Sequence, residues 1–141
     1  MKVIFLDVDG VLNHGRQIEK VEDDKIQLLK QIIDETNAEI VLSSDWRYWL
    51  NTDDEDMILL ERKLSSVGID IMSSTPMTKH GCRGAEIYQW INEWQGEKID
   101  KFVILDDRYD MKPYMNRLVQ TSFNLGLQEK HVKKAIQLLN E

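Results

Sequence analysis

The chain has a single cysteine, Cys82, among its 141 residues. An internal disulfide is thereby excluded, and the composition suits a reducing compartment. Positive charge is in short supply too: 18 Lys and Arg against 25 Asp and Glu leave a formal net charge of −7 at pH 7. That balance argues against broad, sequence-blind binding to nucleic acid or an anionic membrane, while leaving room for a small basic pocket. Long apolar runs are also missing. The N-terminal stretch Val3 to Leu6 is too short for a signal-peptide core, and no segment approaches membrane-spanning length. A soluble cytoplasmic protein is the expectation. No repeat, low-complexity tract or linker interrupts the chain, so residues 1–141 are expected to form one domain with its own core.

What the chain does contain is a set of short aliphatic runs that stop on polar residues. Val3-Ile4-Phe5-Leu6 precedes Asp7-Val8-Asp9-Gly10, Ile40-Val41-Leu42 precedes Ser43-Ser44-Asp45, and Phe102-Val103-Ile104-Leu105 precedes Asp106-Asp107. Such runs are the pattern of parallel strands covered on both faces. Ligands of open sheets bind outside the carboxyl ends of the strands, so these polar ends are expected to converge. Asp7, Asp9, Asp106 and Asp107 gathered there would repel one another unless a positive group sat among them. A hard divalent cation is the natural candidate.

Helical and strand periods alternate along the rest of the chain. Ile26, Leu29, Ile32 and Ile33 recur at helical spacing behind Asp23 and Asp24, acids suited to a helix start. A second helix is marked by Met57, Leu60, Leu64 and Val67, a third by Ile87, Trp90, Ile91 and Trp94, and a last by Val132, Ala135, Ile136 and Leu139. Strands are expected at Glu39 to Leu42, Ile69 to Met72, Lys101 to Leu105 and, at an edge, Leu118 to Thr121. The stretches Gly10 to Glu22 and Ser73 to Gly84 read as turn-rich connectors. The alternation implies right-handed crossovers and an α/β fold, a three-layer α/β/α sandwich on a mainly parallel, Rossmann-like sheet. Singly, each polar strand end has an ordinary reading as turn former or helix cap. Jointly, three buried strands ending in compatible groups point to a site.

Asp7-Val8-Asp9-Gly10-Val11-Leu12 resembles the first motif of the haloacid dehalogenase-like (HAD) phosphohydrolase superfamily, DxDG followed by an apolar pair. Val41-Leu42-Ser43 is similar to its second motif and Ile104-Leu105-Asp106-Asp107 to its fourth. Ser43-Ser44-Asp45-Trp46-Arg47 and Arg83-Gly84-Ala85-Glu86-Ile87 further resemble a subgroup associated with RNA-repair proteins.

The resemblance implies a HAD-like phosphomonoesterase with Asp7 as nucleophile, forming an aspartyl-phosphate, and Asp9 as general acid and base. It implies Mg²⁺ held by the Asp7 side chain, the Asp9 main-chain carbonyl and the fourth-motif acids, with Asp107 preferred for direct contact and Asp106 through water. Ser43 and Ser44 would supply donors to phosphoryl oxygens. The third motif, usually Lys, is replaced by a choice between Lys79 and Arg83. Arg83 is preferred because a guanidinium grips phosphate in two places.

Arg47, with Trp46, Tyr48 and Trp49, could hold a phosphate and stack on a base, although packing of the tryptophans against the sheet is the preferred reading. His14 and Arg108 are weaker candidates, Asp110 joins the acids or caps a following helix, and Cys82 has no assigned role. Neither connector can hold a cap domain, so the site is expected to be open and able to admit bulky phosphates, such as a nucleotide, a nucleic-acid end or a phosphoprotein. A non-catalytic phosphate- or phosphoprotein-binding module is the alternative. A receiver-like domain fits poorly, because its phosphate acceptor comes from a later strand.

Overall fold

The computed structural model describes residues 1–15 and 20–141; residues 16–19 of the expected turn-rich connector lie outside them. Five strands, β1 (Lys2–Leu6), β2 (Glu39–Leu42), β3 (Ile71–Ser74), β4 (Lys101–Asp106) and β5 (Leu118–Gln120), form one sheet. Its order is β3-β2-β1-β4-β5, and every neighbouring pair is parallel. Among the described residues four α-helices connect or follow them: α1 (Asp23–Thr36), α2 (Glu55–Ser65), α3 (Arg83–Glu93) and α4 (Glu129–Leu139). Parallel strands need such crossovers, which cover both faces of the sheet.

Side-chain alternation along β1 divides the core in two. Ile4 and Leu6 join the apolar stripes of α1, α2 and α4 on one face. Val3 and Phe5 point to the other, where α3 contributes Ile87 and Trp90. Phe5 meets Trp90 and Phe102 edge-on, with ring centres 5.4 and 5.5 Å away. The fold is therefore the expected α/β sandwich, and its connections at 7–22 and 75–82 are too short for an inserted domain. Among the described residues no helix is long and apolar enough to cross a membrane.

The third strand begins two residues later than the apolar run suggests. Gly68, at φ +80°, turns the chain out of α2, and the Ile69 N–H then donates to the Leu64 carbonyl at 2.9 Å. Ile69 thus closes a helix end in the core rather than opening a strand. Ser73 and Ser74 pair with Val41 and Leu42 in its place, and the Ser73 hydroxyl accepts from the Trp90 indole at 3.0 Å. Trp94 likewise lies just past α3, stacked on Trp90 at 4.8 Å.

The central position of β1 sets up the site. Strand order departs in opposite directions on its two sides, leaving a crevice at the carboxyl edge. Leu6 is in register with Leu42 on one side and Leu105 on the other. The ladder runs one residue further, with Asp7 N–H donating to the Leu105 carbonyl at 3.0 Å and Ser43 N–H to the Leu6 carbonyl at 2.8 Å. Asp7, Ser43 and Asp106 are consequently level.

Candidate active site

Asp7 and Asp106 are both buried, at 4% and 0% exposure, and Asp107 is half-buried beside them. One carboxylate oxygen from each of the three lies within 4.8 Å of the others. Among the described residues a single buried cation faces the group. Arg83 Nη1 donates to Asp106 Oδ2 at 2.9 Å and to the Ser43 carbonyl at 2.6 Å, and stands 3.3 Å from Asp7 Oδ1. Its Nη2 lies 3.5 Å from the exposed carboxylate of Asp45.

One guanidinium does not balance two buried carboxylates and the half-buried one beside them. Burial pushes the Asp7 carboxyl up to about 6, with Arg83 pulling the other way. Burial and then the Asp7 charge push Asp106 up to about 8. The all-oxygen donor set and this uncompensated charge together suit a hard divalent cation.

The sharp path after β1 is what brings Asp107 close. Gly10 adopts φ +80°, and a Cβ there would sit 2.7 Å from Asp107 Cγ. The turn also separates the two aspartates of the first motif. Asp9 is half-buried and its Oδ1 accepts from Asn13 Nδ2 at 2.9 Å, while Gly10 N–H donates back to Asn13 Oδ1 at 2.9 Å. Its carboxylate stands outside the three-acid group but lines the same pocket, of about 170 Å³, as Asp7, Asp107 and Arg83. A larger cavity, about 650 Å³, lies between α2 and the β3 edge and contains none of these groups.

Arg83 is held in place through the loop after β4. It is the first residue of α3, whose leading residue Cys82 provides no side-chain cap. Asp110 does so instead. Its carboxylate accepts from Arg83 N–H at 3.2 Å and its carbonyl from Gly84 N–H at 2.9 Å. A Cβ at Gly84 would come within 2.3 Å of the Lys112 carbonyl, so only glycine allows the helix to sit so near this loop. Burial opposes ionisation of Asp110, but the bonds from Arg108 and Arg83 prevail and hold its carboxyl below the ordinary value. Asp110 thus caps an earlier helix, not a following one, and pairs with Arg108.

Several expected residues sit elsewhere. Arg47 is buried and bonded to Glu86 Oε1 at 2.8 Å and Thr75 Oγ1 at 3.2 Å, which withdraws its guanidinium from the pocket. Glu86, buried on α3, needs a cation, and Arg47 supplies it. Ser43 is fully buried with an unpartnered hydroxyl, whereas Ser44 lines the pocket and accepts from Trp46 N–H at 3.2 Å. Lys79 is exposed on the loop before α3, outside the pocket lining. Trp46 packs against the core, but Tyr48 and Trp49 remain exposed. His14 Nδ1 is 2.6 Å from Glu22 Oε2.

A protein-family model for the HAD domain in Swiss Army Knife RNA repair proteins matches residues 3–132. The chain belongs to this family. No curated protein and no solved structure matches it. The matched span contains every residue of the acid group, Arg83 and the loop that positions it.

Some members of this HAD domain's site carry no signal in the chain. Asp45, at the polar end of the second strand, does carry one, and it lines the pocket. Thr121, whose hydroxyl donates to the Gly10 carbonyl at 2.6 Å, and Phe123, which lines the pocket, lie far from any motif.

Proposed function

We propose that this HAD domain is a Mg²⁺-dependent phosphomonoester hydrolase. One observation carries the reading: buried carboxylates from the ends of β1 and β4 meet at a single guanidinium beside a small pocket. Mg²⁺ would be held by Asp7, Asp106 and Asp107, with the Asp9 carbonyl as a further donor, and would offset negative charge on the transferring group.

The chain's own groups then divide the work. Asp7 is the nucleophile: a carboxylate oxygen forms a bond to phosphorus as the ester bond breaks, leaving an aspartyl-phosphate. Asp9, in the pocket but outside the acid group, protonates the departing oxygen and afterwards takes a proton from the water that releases phosphate. Asn13 orients it. Arg83, tied to Asp106 and the Ser43 carbonyl, presents a fixed positive charge to the phosphoryl oxygens, and Ser44 adds a polar contact. The substrate is a phosphorylated nucleotide or nucleic-acid end, in keeping with a family of RNA repair proteins and with connections too short to hold an inserted domain.

A screen with Mg²⁺ and p-nitrophenyl phosphate, nucleoside monophosphates and 3′- or 5′-phosphorylated oligonucleotides tests the reading. Turnover that falls at least about a thousandfold in Asp7→Asn is expected. Turnover unaffected by that change would remove Asp7 as nucleophile. Phosphate binding without hydrolysis of any ester would favour a non-catalytic binding module.

A further inference from the structure

We propose that Phe123 is the specificity residue of this site, a stacking platform for a flat ring carried by the phosphorylated substrate. The inference rests on the phosphohydrolase reading above. An exposed phenylalanine is by itself unremarkable on a protein surface. Its place is what matters. Phe123 is 44% exposed and, among the described residues, is the one apolar side chain lining the acid-rich pocket, whose other walls are Asp, Ser and Arg.

The pocket is also too small for a whole ligand. At about 170 Å³ it falls below the roughly 300–1,000 Å³ typical of small-molecule sites. It can take the transferring group, and the rest of the ester must lie across the rim, where Phe123 stands.

The ring is mounted on a loop fastened to the first motif. The Phe123 carbonyl accepts from Gly15 N–H at 2.8 Å, and the Thr121 hydroxyl bonds the Gly10 carbonyl at 2.6 Å. Behind the loop, the buried ammonium of Lys25 donates to the Leu125 and Leu127 carbonyls at 2.9 and 2.8 Å. A Cβ at Gly126 would meet the Asn13 carbonyl at 2.7 Å, so the two loops are in close backbone contact. A platform already in position loses little freedom when a ligand arrives.

Charge narrows the class further. Asp45 is exposed at the mouth and the chain is acidic overall, which disfavours recognition through a long phosphate backbone. Stacking needs no positive charge. The favoured ligand is a compact phosphomonoester bearing a nucleobase-like ring.

The test measures binding rather than turnover. Asp9→Asn protein, which keeps all three acids of the metal group, is titrated calorimetrically with Mg²⁺ present against inorganic phosphate, ribose 5-phosphate and adenosine 3′- and 5′-monophosphates. At least one of the adenosine phosphates should bind about tenfold more tightly than ribose 5-phosphate, within the range known for one base stacked on an aromatic ring. In the same background Phe123→Ala and Phe123→Leu should bring that ratio close to one, and Phe123→Trp should preserve it. A loop merely disturbed by substitution would weaken all ligands alike. Equal binding of the adenosine and ribose phosphates, or a preference that survives Phe123→Leu, overturns the proposal while the phosphohydrolase reading stands. Failure of all four ligands to bind removes both.

Discussion

Replacing Gly10 with alanine should damage the group of Asp7, Asp106 and Asp107 more than the fold. Two costs can be separated. The first is backbone: at φ +80° an alanine is strained, at about 1–2 kcal/mol. The second is contact. The new Cβ would lie 2.7 Å from Asp107 Cγ and 2.8 Å from its Oδ2, closer than packed carbon atoms tolerate, so the Asp107 carboxylate must move. Gly68 supplies the control, because it has the same φ of +80° with nothing within 4 Å of its would-be Cβ. Gly68→Ala should therefore show the backbone cost alone, a melting-temperature loss of roughly 3–8 °C. Gly10→Ala should lose at least as much and, in addition, bind Mg²⁺ at least about tenfold more weakly by titration calorimetry, since one of three carboxylates has left the group. Gly10→Ala protein that matches Gly68→Ala in stability and wild type in Mg²⁺ affinity would refute the placement of Asp107.

The remaining predictions concern charge. Asp7 and Asp106 are raised in the fold to about 6 and about 8, so between about pH 4 and pH 8 the folded chain holds protons that the unfolded chain has released. Their contribution is full below the unfolded value and lost as pH rises through the folded ones. Metal-free protein should therefore lose stability across that window, less steeply in Asp106→Asn or with Mg²⁺ present; identical slopes in thermal scans would contradict this. Arg83→Ala strips the buried acids of their cation and should destabilise by about 3–5 kcal/mol in denaturant melts while abolishing phosphate binding. Lys79→Ala should stay within about 0.5 kcal/mol of wild type and bind phosphate normally. The reverse ranking would transfer the phosphate-clamping role to Lys79.

The fold was legible because its signals are local. Aliphatic runs, helical periods and the acids at strand ends each occupy a few consecutive residues, and a parallel sheet leaves few ways to assemble them. The β3 boundary was missed for the same reason. Ile69 is as apolar as a strand residue, and only the turn at Gly68 assigns it to the end of α2. Trp49 and Arg47 show the limit from the site's side. Both stand in one short segment after β2, yet one is exposed and the other buried, because Glu86 lies across the fold to receive Arg47.

From its order of residues alone the chain determined an α/β sandwich with acids gathered at one edge, since apolar run length and strand-end chemistry need no knowledge of distant partners. Tertiary structure decided which cation answers those acids, which loop caps α3 and which aromatic ring stands at the pocket. Those outcomes depend on groups tens of residues apart, as Arg83 and Asp110 are, and distance in sequence carries no record of the hydrogen bond that joins them.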